Sequence, residues 1–471
     1  MTTNKKSNMT FKYVIEVISI LLGLYIALFI EPSGLLTKEG LIVLGIFVWG
    51  IINLMLGLVG EYMVTLAMGA LWYVTGAVGF DKAFSGFAGS TFWLIVATMG
   101  LGAAVKKSGL LKRLSLYSLK FFKPTYSGQL LAIVVMGIII APLIPSTSAK
   151  VAIMGALVLG ISDELGLAKR GAGRFGLLMA LWIGFNITGN VYVNASFQGY
   201  MVLGLLPAET QATYTWITWL IRSLPWAIIV IVGMFIFTKL TYKEPNATEL
   251  PKEYIEEQFK SIGKLSRNEI ITSIVMAFCL VMFILESYTG IGAVVVCIIG
   301  MTALTFTKVI GKDEFVSNTL WPLVVFIGST LGFSTVFSAV GIDVWLGSVL
   351  EPIAAQLTNP YLFVAVICLL TYVVRLFVAQ TACNTLMVTI IYPLAVSLGM
   401  DPWVACVVIY GSSVIFYPLY THSNILICYG ACGGEENIDD KYFLKADIAF
   451  MVINLVAFLV SVPFWSMFGM L

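Results

Sequence analysis

The chain has 471 residues, of which 59% are hydrophobic and 11% are charged, and its mean hydropathy is +0.96. Soluble domains have roughly 25% charged residues, so this composition excludes a soluble domain and indicates a protein that crosses the membrane many times. The formal net charge is only +2, and the sequence has no basic stripe with interleaved aromatic residues, which argues against a nucleic-acid partner.

Apolar stretches begin near the N-terminus and recur along the chain. About 20 apolar residues cross the hydrocarbon core as a helix. The first stretch follows three lysines but has no small-residue cleavage site, so we interpret it as a retained span rather than a signal peptide. The predicted spans are 13–30, 41–58, 62–79, 91–110, 175–205, 216–238, 269–286, 289–308, 320–340, 403–430 and 445–468.

Two further apolar stretches, 128–165 and 362–400, are interrupted by small polar residues at 145–150 and 381–385. Each is predicted to fold back on itself, as a re-entrant hairpin or as a pair of short spans, and to return the chain to its starting side. The sequence therefore predicts an all-α polytopic membrane protein with about 11 transmembrane helices and two re-entrant hairpins.

The distribution of positive charge predicts the orientation. Cytoplasmic loops carry an excess of Lys and Arg. With the N-terminus inside, these loops receive Lys112, Arg113, Lys120, Lys123, Lys169, Arg170, Arg174 and the lysine-rich segment 239–268, whereas the outer loops hold little beyond Lys38, Lys82 and Arg222. We expect a cytoplasmic N-terminus and an extracytoplasmic C-terminus, and the compact chain suits a bacterial inner membrane.

After the first span, the two halves have the same order: three crossings, a hairpin, a broken crossing and a last crossing. Because the number of crossings per half is odd, the second half is inverted relative to the first. The predicted organisation is 1–39 for the N-terminal tail and first span, 40–238 for repeat 1, 239–268 for a cytoplasmic linker and 269–471 for repeat 2. Each repeat begins with a scaffold part (40–127 and 269–360) and ends with a transport hairpin and broken helix (128–238 and 361–471).

The polar breaks are the candidate substrate site. Irregular backbone at membrane depth survives only where protein buries it or where it lines a cavity, and paired breaks in matching positions indicate a transporter's binding site. Free N–H groups at helix starts attract carboxylates. Capping or back-bonding within a helix is the alternative role for such hydroxyls, but two triplets in matching positions favour a site. The tips supply Ser146, Thr147 and Ser148 in one half and Cys383, Asn384 and Thr385 in the other.

The broken crossings at 184–194 and 411–424 are rich in Gly, Asn and Pro and end at Asn194 and Asn424. Such breaks free carbonyl groups that can hold a cation or a substrate, and simple helix kinks are the alternative.

Ionisable residues inside the predicted spans are few, since a centrally placed Lys or Arg costs roughly 2.5–3.5 kcal/mol. Lys150 follows the first tip, and His422, the single histidine, lies in the second broken crossing. We expect both to compensate the charge of a bound anion, with snorkelling of Lys150 and a structural role of His422 as alternatives. For Arg375, an interface anchor or a structural pair is favoured over a substrate ligand.

Two other classes of function are alternatives to a transporter: an intramembrane enzyme and a channel. The seven cysteines lie in the second half, mostly as buried apolar residues, and Cys383 with His422 is the one conceivable thiol–imidazole pair. No HExxH motif or paired intramembrane carboxylates are present, so we expect no enzyme and no metal centre. A channel would use the same breaks for a continuous pore and would show flux that does not saturate.

At these residues the chain resembles the divalent anion/sodium symporter family, the carriers of dicarboxylates, citrate and sulfate. That family has two inverted repeats, each with a hairpin ending in Ser-Asn-Thr and a broken helix ending in Thr-Pro-Pro-Asn or a variant. The triplets at 146–148 and 383–385 match the first motif, and 191–194 and 421–424 match the second loosely. The resemblance implies that these residues bind the substrate carboxylates: Ser146, Thr147, Ser148, Asn194, Cys383, Asn384, Thr385 and Asn424.

The sodium-coupled members of that family hold one sodium ion in each repeat. If this chain does the same, the resemblance implies the ligands Ser146, Thr147, Thr381, Asn384 and Thr385. The chain departs from the family where Thr147 replaces Asn and where His422 replaces Pro, and Lys150 stands where the exchanger-like branch often has Arg. A fixed cation would repel sodium.

The leading hypothesis is therefore exchange of di-anions, most of all C4 and C5 dicarboxylates, without a cofactor. Sodium-coupled uptake of dicarboxylates, citrate or sulfate, with Na⁺ as the coupling ion, is the alternative. The resemblance also implies an elevator motion of the transport parts within a homodimer in the lipid bilayer.

Overall fold

The computed structural model describes residues 2–32, 34–354, 356–419 and 422–471, without the side chains of 2–11, 350, 351, 353 and 354. The regular elements of these ranges are all helices, which confirms the all-α prediction. Among them, seven are long and apolar enough to cross a membrane, or eight if a bent pair counts as one span. The protein is thus a multi-pass membrane protein, while the count of about 11 spans stays a prediction.

The N-terminal part ends in a sharply bent pair of helices. Its helices are α1 (Thr2–Phe29), α2 (Lys38–Leu56), α3 (Glu61–Val74), α4 (Phe80–Ala83), α5 (Ser90–Ser108) and α6 (Leu110–Phe121). α5 and α6 meet at an angle of 66°. Gly109 lies between them with φ 81°, a left-handed conformation that ends a helix and favours glycine.

The first hairpin and the first broken crossing follow. Their helices and the crossing after them are α7 (Tyr126–Ile140), α8 (Thr147–Glu164), α9 (Ala172–Trp182), α10 (Thr188–Val191), α11 (Phe197–Gly204), α12 (Ala208–Thr213) and α13 (Trp216–Thr241). A 3-10 turn at Ala141–Leu143 leads from α7 towards the tip, and a π-helical turn at Ile183–Ile187 joins α9 to α10. π-helical turns inside helices are frequent at functional sites.

The linker contains one amphipathic helix, and several predicted spans of the second half are divided. The helices are α14 (Lys252–Ile262), α15 (Arg267–Ile284), α16 (Glu286–Thr289), α17 (Ala293–Phe306), α18 (Lys312–Asn318), α19 (Trp321–Thr330), α20 (Phe333–Ala339) and α21 (Ile342–Ala354). The predicted span 320–340, for example, consists of α19 and α20.

The last part repeats the order of hairpin, broken crossing and final crossing. Its helices are α22 (Pro360–Arg375), α23 (Gln380–Ser397), α24 (Pro402–Ser412), α25 (Ser423–Ala431), α26 (Gly434–Asn437) and α27 (Lys441–Met467). The break between α24 and α25 includes Tyr420 and Thr421, which lie outside the described residues.

The hairpin of each half packs against the broken crossing of the other half. α8 lies along α25, where a Cβ on Gly155 would come within 2.5 Å of the Ala431 side chain. α11 packs in turn against α23 and α24. The final crossings α13 and α27 also pack together, and Trp226 donates to the buried Asn454 at 2.7 Å. The polar breaks of both halves are therefore held in one helical bundle.

A buried ion pair ties the linker to α6. Arg113 donates to Glu269 at 2.5 Å, and their side chains are 8% and 6% exposed. The same guanidinium donates to the backbone carbonyls of Gly263 and Lys264 at 3.1 and 3.2 Å. Glu269 also accepts the backbone N–H of Ser266 at 2.7 Å, in a capping box that starts α15.

We expect Glu269→Gln to lower the thermal stability of the detergent-solubilised protein, because it leaves the Arg113 charge buried without its partner. Breaking a buried pair costs about 3 kcal/mol. The matched control is Glu314→Gln, which removes an exposed partner of Lys107 and costs less than about 1 kcal/mol. Equal melting temperatures for the two variants would contradict the structural role of Arg113.

Candidate functional site

The first tip is a capped helix start that is bonded to both broken crossings. α8 begins after Ser146, whose hydroxyl accepts the N–H of Ala149 at 3.3 Å. Ser148 donates to the side-chain oxygen of Asn424 at 2.8 Å. The Asn424 amide then donates to Asn186 at 3.2 Å. Ser146 therefore has the capping role that was the alternative, while Ser148 faces the other half, and substrate binding by this tip stays a prediction.

A cavity of about 270 Å³ opens at this tip, which we call the tip cavity. Its wall includes the triplet Ser146, Thr147 and Ser148 together with Asn424. The opposite wall is α5, from Met99 to Lys106, and the end of α18 at Asn318. A Cβ on Gly102 would lie 3.3 Å from that of Ser146, so α5 passes close to the tip. Hydroxyls, an amide and a helix N-terminus therefore share one cavity with a lysine.

The second tip is buried and lies outside the tip cavity. Cys383, Asn384 and Thr385 are in the first turns of α23 and are at most 1% exposed. Thr385 donates back to the carbonyl of Thr381 at 3.1 Å. The amide nitrogen and oxygen of Asn384 have no hydrogen-bond partner among the described residues. Buried polar side chains are normally hydrogen-bonded. Asn384 is therefore the residue of this tip whose side chain is best suited to bind a ligand.

The first broken crossing is held by Lys150 and Asn194. Lys150 is fully buried and its ammonium donates to the carbonyl of Ala195 at 2.8 Å, with Ala141 at 3.5 Å. Asn194 donates to the carbonyl of Pro142 at 2.7 Å and accepts from the Trp216 indole at 2.8 Å. Neither residue lines the tip cavity. Their contacts favour a role in fixing the break over direct contact with a substrate.

The second broken crossing is held by Arg375 and Asp447 in a matching way. The guanidinium of Arg375 donates to the carbonyls of Ser413 at 2.7 Å and Ile415 at 2.9 Å. Asp447 accepts the N–H groups of Phe416 and Tyr417 at 3.0 and 3.1 Å. Both side chains are almost fully buried. These contacts give Arg375 the structural role that its position in the sequence favoured.

His422 is buried beside the start of α25. It is 1% exposed, and its ring meets that of Trp182 edge to face at 4.9 Å between centroids. Its backbone N–H donates to Leu419 at 3.2 Å. Neither ring nitrogen has a hydrogen-bond partner among the described residues, 2–32, 34–354, 356–419 and 422–471. Charge compensation by His422 and by Lys150 stays a prediction.

The structure adds site residues that the sequence did not single out. Asn186 completes the chain of side chains from Ser148 through Asn424. Lys106 lines the tip cavity from the α5 side and donates to Asn318 at 3.1 Å. Asn186 lies within the broken crossing, so its polar character inside an apolar stretch was an available signal. The sequence carried no such signal for Lys106, because two lysines at the end of a span are ordinary interface anchors.

Curated relatives of this chain are transporters. A putative malate transporter of Bacillus subtilis is 24% identical and matches 72% of each chain. The chloroplastic dicarboxylate transporter 2.1 of Arabidopsis thaliana is 23% identical over 84% of this chain and 72% of its own. An L-tartrate/succinate antiporter of Escherichia coli is 24% identical over 64% of this chain and 63% of its own.

Solved structures with a similar fold are also transporters. The YdaH transporter of Alcanivorax borkumensis has a TM-score of 0.57 at 13% identity and covers 91% of this chain and 98% of its own. MtrF of Neisseria gonorrhoeae, an antimetabolite efflux pump, has a TM-score of 0.55 at 15% identity. The match covers 97% of this chain and 94% of MtrF. The family model of the sodium:sulfate symporter transmembrane region matches residues 10–471. The chain therefore belongs to the sodium:sulfate symporter family, and it is a membrane transporter rather than an enzyme.

Proposed function

We propose that this protein exchanges di-anions across the membrane, with C4 and C5 dicarboxylates as substrates. The observation that carries the proposal is that buried side-chain cations occupy the carbonyl groups freed by both helix breaks. Lys150 binds the carbonyl of Ala195 at the end of the first break and that of Ala141 in the neighbouring hairpin, and Arg375 binds the carbonyls of Ser413 and Ile415. A basic side chain is thus already in place at both breaks, with the Asp447 carboxyl beside it at the second.

The substrate class follows from the tip cavity. The N–H groups at the start of α8 carry partial positive charge, and Ser146, Ser148 and Asn424 place hydroxyl and amide groups around them. The cavity of about 270 Å³ is smaller than the usual pockets for drug-sized ligands, which suits a small di-anion. The relatives named for malate, for dicarboxylates and for tartrate and succinate support the same class.

Exchange follows from the built-in cations. A sodium ion needs several oxygen ligands, and a cation tethered to the same carbonyls competes with it for space and repels it. A carrier with buried basic groups is costly to move across the bilayer in their charged form without its anionic substrate. The loaded carrier then crosses in both directions, and the empty carrier returns slowly, which is the behaviour of an antiporter.

The same contacts support an elevator motion. Each hairpin is packed against the broken crossing of the other half, so hairpins and broken crossings form one transport unit. At the first tip this unit faces α5 through Gly102 and Ala103, which are small and leave room for sliding. In the proposal the unit moves against the scaffold, within a homodimer and with the N-terminus in the cytoplasm.

Sodium-coupled uptake is the second candidate, and Asn384 favours it. Its buried amide has no partner among the described residues, and the hydroxyls of Ser146, Thr147, Thr381 and Thr385 lie in or beside the two tips. Sodium binds to such oxygen ligands without a fixed geometry. An anion channel, the more distant candidate, would show flux that does not saturate at millimolar succinate.

Exchange is tested with purified protein in liposomes. We expect uptake of labelled succinate or malate that requires unlabelled dicarboxylate inside and proceeds equally in sodium and in choline buffer. The built-in cations make an added ion unnecessary. Strict dependence on sodium without any effect of internal substrate would refute exchange and establish the second candidate.

A test of the tethered cation uses Lys150→Ala. Removing the ammonium leaves buried carbonyls without a donor, at a cost of about 1–3 kcal/mol. We expect a lower melting temperature that added sodium partly restores, because the vacated carbonyls can then bind the ion. The native protein and the exposed-site control Lys441→Ala should show no sodium effect. Stabilisation of the native protein by sodium would mean that a sodium site exists in the presence of Lys150, against the proposal.

The site itself is tested with Asn424→Ala. The change removes the amide that joins Ser148 to Asn186 at the tip cavity. We expect succinate affinity to fall about tenfold, as for the loss of one hydrogen bond to a charged ligand. The comparison variant is Asn454→Ala, which removes a buried amide between α13 and α27 and should lower stability without changing the affinity of the folded protein. Unchanged affinity in Asn424→Ala would remove the tip cavity as the substrate site.

A further inference from the structure

The two ends of α5 line two separate cavities of different charge. Near its end, Gly102 and Lys106 line the tip cavity. Near its start, Ser90 and Thr91 line a second cavity of about 770 Å³, which we call the hydroxyl cavity. Sixteen residues separate Ser90 from Lys106, which is roughly 24 Å along a helix. The cavities therefore lie near opposite ends of α5. In the orientation predicted from the sequence, the end with Lys106 faces the cytoplasm.

The tip cavity has a cation in its wall. Lys106 is exposed, and its ammonium donates to the side-chain oxygen of Asn318 at 3.1 Å. Lys106 makes no salt bridge with any carboxylate of the described residues, in contrast to its neighbour Lys107, which pairs with Glu314. The charge of Lys106 is thus available to an anion that enters the cavity.

The hydroxyl cavity has the opposite character. Its wall contains several hydroxyl groups, among them Ser334, Thr335 and Ser397. Among the described residues that line it, Asp343 is the charged one. The Asp343 carboxylate accepts hydrogen bonds from Ser338 at 2.5 Å and from the Val344 N–H at 2.8 Å, so it is held in place. A di-anion approaching through this cavity meets a negative charge and no compensating lysine or arginine from those residues.

We propose that Lys106 is a specificity residue that attracts the di-anion at one face of the membrane only. The inference rests on the proposed exchange of di-anions and deepens it. Lys106 belongs to α5 of the scaffold, whereas Ser146, Ser148 and Asn424 belong to the transport unit. When the transport unit moves away from this end of α5, the bound anion loses Lys106 and keeps the tip residues.

The consequence is an asymmetry in capture of the substrate. An interaction made in only one of two states stabilises that state alone. Rim charges act mainly on the rate of association and depend on ionic strength. Because Lys106 is exposed, its effect on a di-anion is modest, about three- to tenfold in kcat/KM. Capture at the other face should be unaffected.

The experiment compares inverted and right-side-out membrane vesicles that contain the full chain. Labelled succinate is supplied outside, with saturating unlabelled succinate inside, and kcat/KM then reports capture from the outer surface of each vesicle. We expect Lys106→Gln to lower kcat/KM about three- to tenfold in inverted vesicles and to leave right-side-out vesicles unchanged. Lys106→Arg, which keeps the charge, should retain the native value, and Lys107→Gln is the matched control.

A second measurement varies the ionic strength for the native protein and for Lys106→Gln. Raising the ionic strength from about 0.05 M to about 0.5 M shortens the screening length severalfold. Capture in inverted vesicles should weaken, and Lys106→Gln should lose most of this salt dependence. An equal loss in both vesicle types, or no loss in Lys106→Gln while the native protein exchanges succinate, overturns the role of Lys106 alone. Absence of any exchange by the native protein overturns the proposed function and this inference with it.

Discussion

The structure depends on how backbone groups are satisfied where helices break at membrane depth. Hydrocarbon offers no hydrogen bonds, and each unsatisfied group costs several kcal/mol. At the second break, Arg375 binds carbonyls and Asp447 binds N–H groups of the same extended segment. At the first break, Lys150 binds the carbonyl of Ala195, and Asn194 binds that of Pro142 in the neighbouring hairpin. The breaks exist as fixed structures because these side chains replace the missing helical bonds.

The two halves meet this requirement with different residues. A lysine with an asparagine serves one break, and an arginine with an aspartate serves the other. Both halves need a buried basic side chain that donates hydrogen bonds to the freed carbonyl groups. Either lysine or arginine can serve as this donor. This explains why the repeat is clear in the order of its elements and weak in its sequence. It also places a basic side chain at both breaks without requiring the same motif.

The membrane crossings and the positions of the helix breaks could be predicted from the sequence because they depend on local chemistry. Gly, Pro and Asn interrupt helices wherever they occur in apolar stretches, and Ser146 caps α8 as its residue type favours. The hydrogen-bond partner of the Lys150 side chain could not be predicted, because the carbonyl of Ala195 is brought near it only by folding. The same holds for Ser148 and Asn424, which are 276 residues apart. The cation at the tip cavity was expected from Lys150, whereas the side chain that lines the cavity is Lys106.

Lys150 and Lys106 have two different roles near the first tip. Lys150 holds the backbone of the first break, and Lys106 supplies the charge in the wall of the tip cavity. Lys150 is fully buried and bonded to the carbonyl of Ala195, so in the proposed elevator motion its charge would move with the transport unit. Lys106 is exposed on α5, which belongs to the proposed scaffold. A charge that travels with the site contributes equally at both faces, while a charge on the scaffold contributes at one. In the proposed mechanism only the second kind makes the two faces unequal, so the end of α5 at which a cation lies sets the face from which the substrate is captured faster.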